Sequence, residues 1–169
     1  MHYLLTFSCY GTWLHGDARG SVHRNQNLPG SRFVEPSAAW EAYERSLMKE
    51  SAYQLDDVAR NIANQALQDA CGYREWNLLA AHVRSTHIHI VLDLDSEPER
   101  AIAYLKARIT HQIRVSGLDA GRNRFWSKFV SNVRLGDERA VEQAVCYVLE
   151  KQGSPMATYL NPNWNRTGG

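Results

Sequence analysis

Apolar and polar residues alternate at the two-residue period of a strand along His2-Tyr-Leu-Leu-Thr-Phe-Ser-Cys9. The period then breaks. From Tyr10 to Glu35 the chain is rich in Gly, Asn, Asp and Arg, with Pro29-Gly30 as a turn signal, so a long surface excursion is expected. Pro36-Ser-Ala-Ala-Trp opens a helix with Trp40, Tyr43 and Leu47 at helical spacing. A second helix carries the stripe Leu55, Val58, Ile62, Ala66 and Ala70, with Asp56 and Asp57 at its positive end and Gly72 at its close. Trp76 to Arg84 reads as a second strand, and a third follows almost at once. Pro98 starts a helix whose buried stripe is Ile102, Leu105, Ile109 and Ile113, and Gly117 stops it. Residues 124–135 predict a fourth strand with Phe125, Phe129 and Val133 on one face and Trp126, Lys128 and Arg134 on the other. A helix from about Glu138 to Lys151 comes last, closed by Gly153 and Pro155, and residues 154–169 read as an extended, loosely held tail.

The core order is β-α-β-β-α-β, the α+β, ferredoxin-like pattern of an antiparallel sheet. It predicts a single domain over residues 1–169, with an insertion at 10–50 after strand one and an added C-terminal helix bearing Tyr147. Strands one and three would be central, with helices on the face opposite the histidines described next.

Candidate chemistry gathers in the third strand, His87-Ile-His-Ile-Val-Leu-Asp93. Side chains alternate along a strand, so His87 and His89 project one way and Ile88, Ile90 and Leu92 the other. Two imidazoles on one sheet face can hold a divalent metal if a third ligand arrives from elsewhere. If Ser85-Thr86 is a two-residue turn, Arg84 faces His87 and His82 faces His89 on that same face. His82 then approaches the metal or what it acts on, or is a satisfied strand histidine.

Composition narrows the class. The net charge of +1 argues against a protein that coats nucleic acid. Its distribution is uneven: between Ala101 and Leu135 lie Lys106, Arg108, Arg114, Arg122, Arg124, Lys128 and Arg134 against the single acid Asp119. Such a segment attracts a phosphate backbone or is simply a solvated surface. Lys106, Arg108, Arg122, Arg124 and Lys128 are therefore candidate DNA contacts, joined by His82 and the loop arginines Arg19 and Arg24. Tyr10, Trp13 and Trp126 are candidates for stacking on unpaired bases. The three cysteines form no C-x-x-C pair and read as reduced thiols of a cytoplasmic protein. No signal peptide and no membrane-length apolar run is seen.

Three segments carry a family resemblance: Thr86-His-Ile-His-Ile-Val-Leu92, Phe125-Trp126, and Ala144-Val-Cys-Tyr-Val-Leu-Glu-Lys-Gln-Gly153. With the opening Tyr10-Gly-Thr-Trp-Leu-His-Gly-Asp-Ala-Arg-Gly20, the chain resembles the HUH single-strand DNA transposases that use one tyrosine, including the REP-associated type. The resemblance implies that His87 and His89 bind Mg²⁺ or Mn²⁺, which polarises the scissile phosphate. It implies that Tyr147 attacks that phosphate to leave a 5′-phosphotyrosine and a free 3′-hydroxyl. The implied partner is single-stranded DNA with hairpin structure, and relatives act as monomers or as homodimers that exchange tyrosine helices.

The residues themselves bear on Tyr147. The apolar stripe of its helix is Val141, Ala144, Val145 and Val148, and Tyr147 lies off it, where a core tyrosine would not. Many relatives place Asn or Gln four residues after the tyrosine as third ligand, but that position here is Lys151, which cannot ligate while protonated. Gln152 is preferred, since a π-type turn or loosened helix end before Gly153 would bring it round, and Glu150 is the fallback. Lys151 is assigned instead to favouring phenolate over phenol at Tyr147. The rivals are a non-catalytic single-stranded nucleic-acid-binding module and an inactive, domesticated transposase. Phosphodiesterases with paired His-x-Ser/Thr motifs are excluded, because neither His82-Val-Arg nor His87-Ile-His fits.

Overall fold

A computed structural model describes residues 1–15, 17–18 and 35–164. Arg19, Arg24 and the Pro29-Gly30 turn lie outside the described residues. Strands β1 (His2–Cys9), β2 (Asn77–Val83), β3 (His87–Asp93), β4 (Trp126–Leu135) and β5 (Ala157–Leu160) form one antiparallel sheet in the order β4-β1-β3-β2-β5. Its first four members have the ferredoxin-like order, so the sequence-derived fold class holds. Helices are α1 (Ala38–Ser46), α2 (Asp57–Tyr73), α3 (Pro98–Val115) and α4 (Glu138–Glu150).

The main core lies between the sheet and the α2–α3 layer. Leu5, Phe7 and Cys9 of β1 and Ile88, Ile90 and Leu92 of β3 meet Ile102, Leu105, Ile109 and Ile113 of α3, all buried. Asp56 caps α2 by accepting from the Ala59 amide at 2.7 Å. The buried face of α2 departs from the expected stripe. It is built on Ala59, Ala63, Ala66, Leu67, Ala70 and Cys71, and Val58 points to solvent.

A second, smaller core occupies the other face. Val141, Ala144, Val145 and Val148 of α4 pack on Leu79, Ala80 and Val91, so the valine stripe is buried as the sequence predicts. This helix therefore lies on the histidine side, whereas α2 and α3 cover the opposite one.

An irregularity in β2 sets which of its side chains face α4. In β2 the register shifts between Leu78 and Ala80, so Leu79 and Ala80 both join the α4 side, and beyond them His82 pairs with His89 and faces α4. In β4 the register shifts opposite Phe7–Cys9. Trp126 pairs with Cys9 and Val130 with Phe7, so both keep to the main-core face; Trp126 packs on Phe7 at 5.3 Å between ring centres, and Phe125, just before the strand, is buried beside it. Phe129 and Val133 are exposed, contrary to the expectation that they share a face with Phe125.

The expected loose tail is corrected over residues 157–164. Ala157–Leu160 pairs antiparallel with β2, Asn161 bonds back to Leu78 and Asn77, and Trp164 packs against the α4 core. Among the described residues no helix is long and apolar enough to cross a membrane.

Candidate metal and tyrosine site

Three elements converge at the C-terminal end of α4. The hairpin register joins His82 to His89, and the Arg84 amide donates to the His87 carbonyl at 2.9 Å. His87 and His89 thus sit side by side on the α4 face, with ring centres 4.7 Å apart and planes inclined by 78°. His89 is 7% exposed and His87 more open. Each ring has a hydroxyl at its inner nitrogen: Thr6 Oγ1 lies 2.7 Å from His89 Nδ1, and Thr86 Oγ1 lies 3.0 Å from His87 Nδ1.

Tyr147 reaches this pair from α4. Off the valine stripe and 43% exposed, its ring stands 5.7 Å from that of His89 at 75°. The Lys151 amide donates to the Tyr147 carbonyl, closing the last α-turn, after which the chain leaves helical geometry. Gly153 then takes φ +77°, a left-handed conformation that favours glycine. This loosened end turns Gln152 inward, and its side chain hydrogen-bonds to His89. No π-turn is needed. Glu150 does not join: among the described residues no third His, Cys, Asp or Glu completes a cluster with the two histidines. Glu150 instead accepts from the Cys146 thiol at 3.2 Å.

The donor set suits a divalent cation. Two imidazoles bound at right angles to one ion have ring centres about 4.5 Å apart, close to what is seen, and a carboxamide oxygen is a ligand for hard cations. Burial, with His87 beside it, pushes the His89 imidazole down to about 3, against a partial offset from Gln152, so the ring is neutral as a ligand must be.

The same depression makes stability depend on pH. As pH falls through about 6.5, the unfolded chain protonates this histidine and the folded chain does not until about pH 3. Unfolding therefore becomes easier over that window, by at most about 1.4 kcal/mol per pH unit. Urea denaturation at pH 7.5 and 5.0 should show the loss, and His89→Asn should shrink it. A loss of equal size in the variant would remove His89 as its source.

His82 is not a DNA contact. It is 0% exposed, its Nδ1–H donates to the Val148 carbonyl at 2.9 Å, and its Nε2 accepts from the Met156 amide at 3.1 Å. Both ring nitrogens are spent on tying α4 and the following segment to β2. Arg84 reinforces the tie by donating to the Ser154 carbonyl at 3.0 Å.

Several expected phosphate contacts are likewise internal. Lys106 is half-buried beneath β4, donates to the Ser127 carbonyl at 2.8 Å and has its ammonium pushed down to about 8 by burial. Arg122 stacks on Tyr53 at 4.9 Å and bonds to the Ser51 and Arg124 carbonyls, and Arg124 lies over Tyr10 at 5.8 Å. These arginines brace the insertion against the α3–β4 connection. Arg108 is partly exposed and Lys128 exposed. Lys106, His111, Arg114 and Arg124 also line a shallow cleft of about 480 Å³ on the helix side, apart from His87 and His89.

Of the proposed stacking residues, Trp126 is committed to the core and to Thr110, and the Tyr10 hydroxyl accepts from the Lys49 amide. Trp13 is exposed. The aromatic that sequence reasoning missed is Phe129, 47% exposed and 4.9 Å from the His15 ring, which itself stacks on Trp40. Thr6 and Thr86 were missed too. Counting from His89 across a known register would have found Thr6, its direct cross-strand partner.

The fold and site define an α+β protein whose antiparallel sheet presents a histidine pair to a tyrosine on an added helix. No family model matches the chain, and no curated protein matches it. Among solved structures it is similar to a REP-associated tyrosine transposase bound to a REP hairpin, at 12% identity and a TM-score of 0.48, covering 88% of this chain and 64% of that one. The chain thus spans less than two thirds of that relative's length. It is also similar to a protein of Deinococcus radiodurans R1 provisionally assigned as a transposase, at 14% identity and a TM-score of 0.46, covering 88% of each chain.

Proposed function

We propose that the chain is a metal-dependent endonuclease and strand transferase acting on single-stranded DNA, with Tyr147 as nucleophile. One observation carries the reading. Within a single chain, an exposed phenol stands 5.7 Å from an imidazole whose neighbour and carboxamide partner complete a set of metal donors. His87, His89 and Gln152 would hold Mg²⁺ or Mn²⁺, which when bound polarises a phosphodiester and offsets its charge.

The remaining chemistry belongs to the side chains. Tyr147 loses its phenolic proton and its oxygen bonds to phosphorus. The bond from phosphorus to the 3′-oxygen breaks, and that oxygen takes up a proton. The resulting 5′-phosphotyrosine ester keeps the energy of the broken linkage, so a 3′-hydroxyl can reverse the step without ATP. The exposed Lys151 lies one turn from Tyr147. In this scheme Tyr147 and His89 of the same chain act together.

The test incubates the protein with Mn²⁺ and single-stranded hairpin DNA from around its own gene, then maps any covalent adduct by mass spectrometry. A phosphotyrosine at Tyr147 is expected. An adduct elsewhere, or none, overturns the reading. Binding without an adduct would instead support a non-catalytic single-strand-binding module, the second reading, for which the exposed Phe129 ring is the supporting observation.

A further inference from the structure

Both imidazoles of the histidine pair have a threonine hydroxyl at Nδ1, and the two threonines come from different elements. Thr6 lies on β1 directly across from His89, at 2.7 Å, and Thr86 is the residue that leads into His87, at 3.0 Å. Among the described residues, no Asp or Glu forms a three-membered cluster with the two rings. A neutral imidazole carries one N–H, so the partner of one nitrogen decides the state of the other. We propose that Thr6 and Thr86 are positioning residues that accept from Nδ1–H of His89 and His87, turning both Nε2 lone pairs toward a shared divalent cation. This rests on the metal reading above and adds to it the atom by which each histidine ligates.

Two features of the chain support the assignment. The β1–β3 register fixes Thr6 against His89 by six further paired positions, so the His89 ring direction is built into the sheet. A hydroxyl also differs from the carboxylate that commonly orients a ligating histidine. It is neutral, and no His, Cys, Asp or Glu adds a third member to the pair among the described residues. A cation held by two imidazoles and a carboxamide keeps its full positive charge for an anionic phosphodiester. The hydroxyl can also rotate between donating and accepting, so the rings have partners both with and without metal.

Isosteric Thr6→Val and Thr86→Val remove the hydroxyls and keep the β-branched shape that suits a strand. Each is expected to weaken Mn²⁺ binding, read by calorimetry, by about tenfold or more. Thr6→Ser should restore most of it, while the urea midpoint stays near that of the parent. In the metal-free protein, ¹⁵N spectra of the imidazoles should show the His89 tautomer populations altered by Thr6→Val. Parent-like Mn²⁺ affinity in both valine variants would overturn the positioning role and leave the metal site standing. A parent protein that binds no Mn²⁺ would overturn the metal reading, and this inference with it.

Discussion

Tyr147→Phe is expected to reduce DNA strand cleavage by at least about three orders of magnitude, with Mn²⁺ affinity within twofold of the parent. A nucleophile removed outright leaves only what binding and electrostatics contribute, which is why losses of this size follow. Phenylalanine keeps the ring that stands 5.7 Å from His89 and removes only the oxygen that would bond to phosphorus. Because Tyr147 is 43% exposed and off the buried valine stripe, the variant should fold as the parent does. Single-turnover cleavage of labelled single-stranded DNA is the measurement. Residual activity within tenfold of the parent would mean that another group attacks the phosphate.

The largest effect on stability is expected from His82→Ala. Two hydrogen bonds vanish from a fully buried position, and the Met156 amide and the Val148 carbonyl lose the partner that their geometry selects. A buried polar group stripped of its partner costs about 1–3 kcal/mol, so a drop of about 2–5 kcal/mol follows. The consequence extends to chemistry. Val148 adjoins Tyr147, and the segment leading to Met156 contains Gln152, so both groups are held over the histidine pair through one imidazole. Urea denaturation measures the first effect and adduct yield the second. A midpoint that does not move would show that the valine stripe alone holds α4.

Much of this arrangement is readable before any coordinates, and the reasons are particular. The isoleucine–leucine stripe of α3 and the valine stripe of α4 contrast sharply with their neighbours, and both are the buried faces. The His82–His89 pairing follows from counting back across Ser85-Thr86, because side-chain direction in a hairpin repeats every two residues. Tyr147 could be placed off the core by the same arithmetic on a helix.

What escapes the sequence depends on context. The α2 face is mostly alanine, which gives little hydropathy contrast, so Val58 looked like core and is not. The β4 faces were misassigned because Phe125 lies just before the strand, so its burial does not carry over to the face that Phe129 and Val133 share. Four residues of β5 are too few to show a period. The cations of the α3–β4 segment have no local signal separating those that brace the insertion from those facing solvent. Arg122 is distinguished by Tyr53, Ser51 and Glu50, far away in sequence.

Strand β5 also bears on how the molecule behaves among its own kind. With β5 on the outer side of β2, the sheet ends in this four-residue strand on one flank and in β4 on the other. The β4 flank carries the exposed Lys128, Asn132 and Arg134, and its ladder is interrupted near its start. Charge and irregularity there disfavour edge-to-edge pairing, so the protein should resist aggregation at concentrations where a smooth apolar border would not.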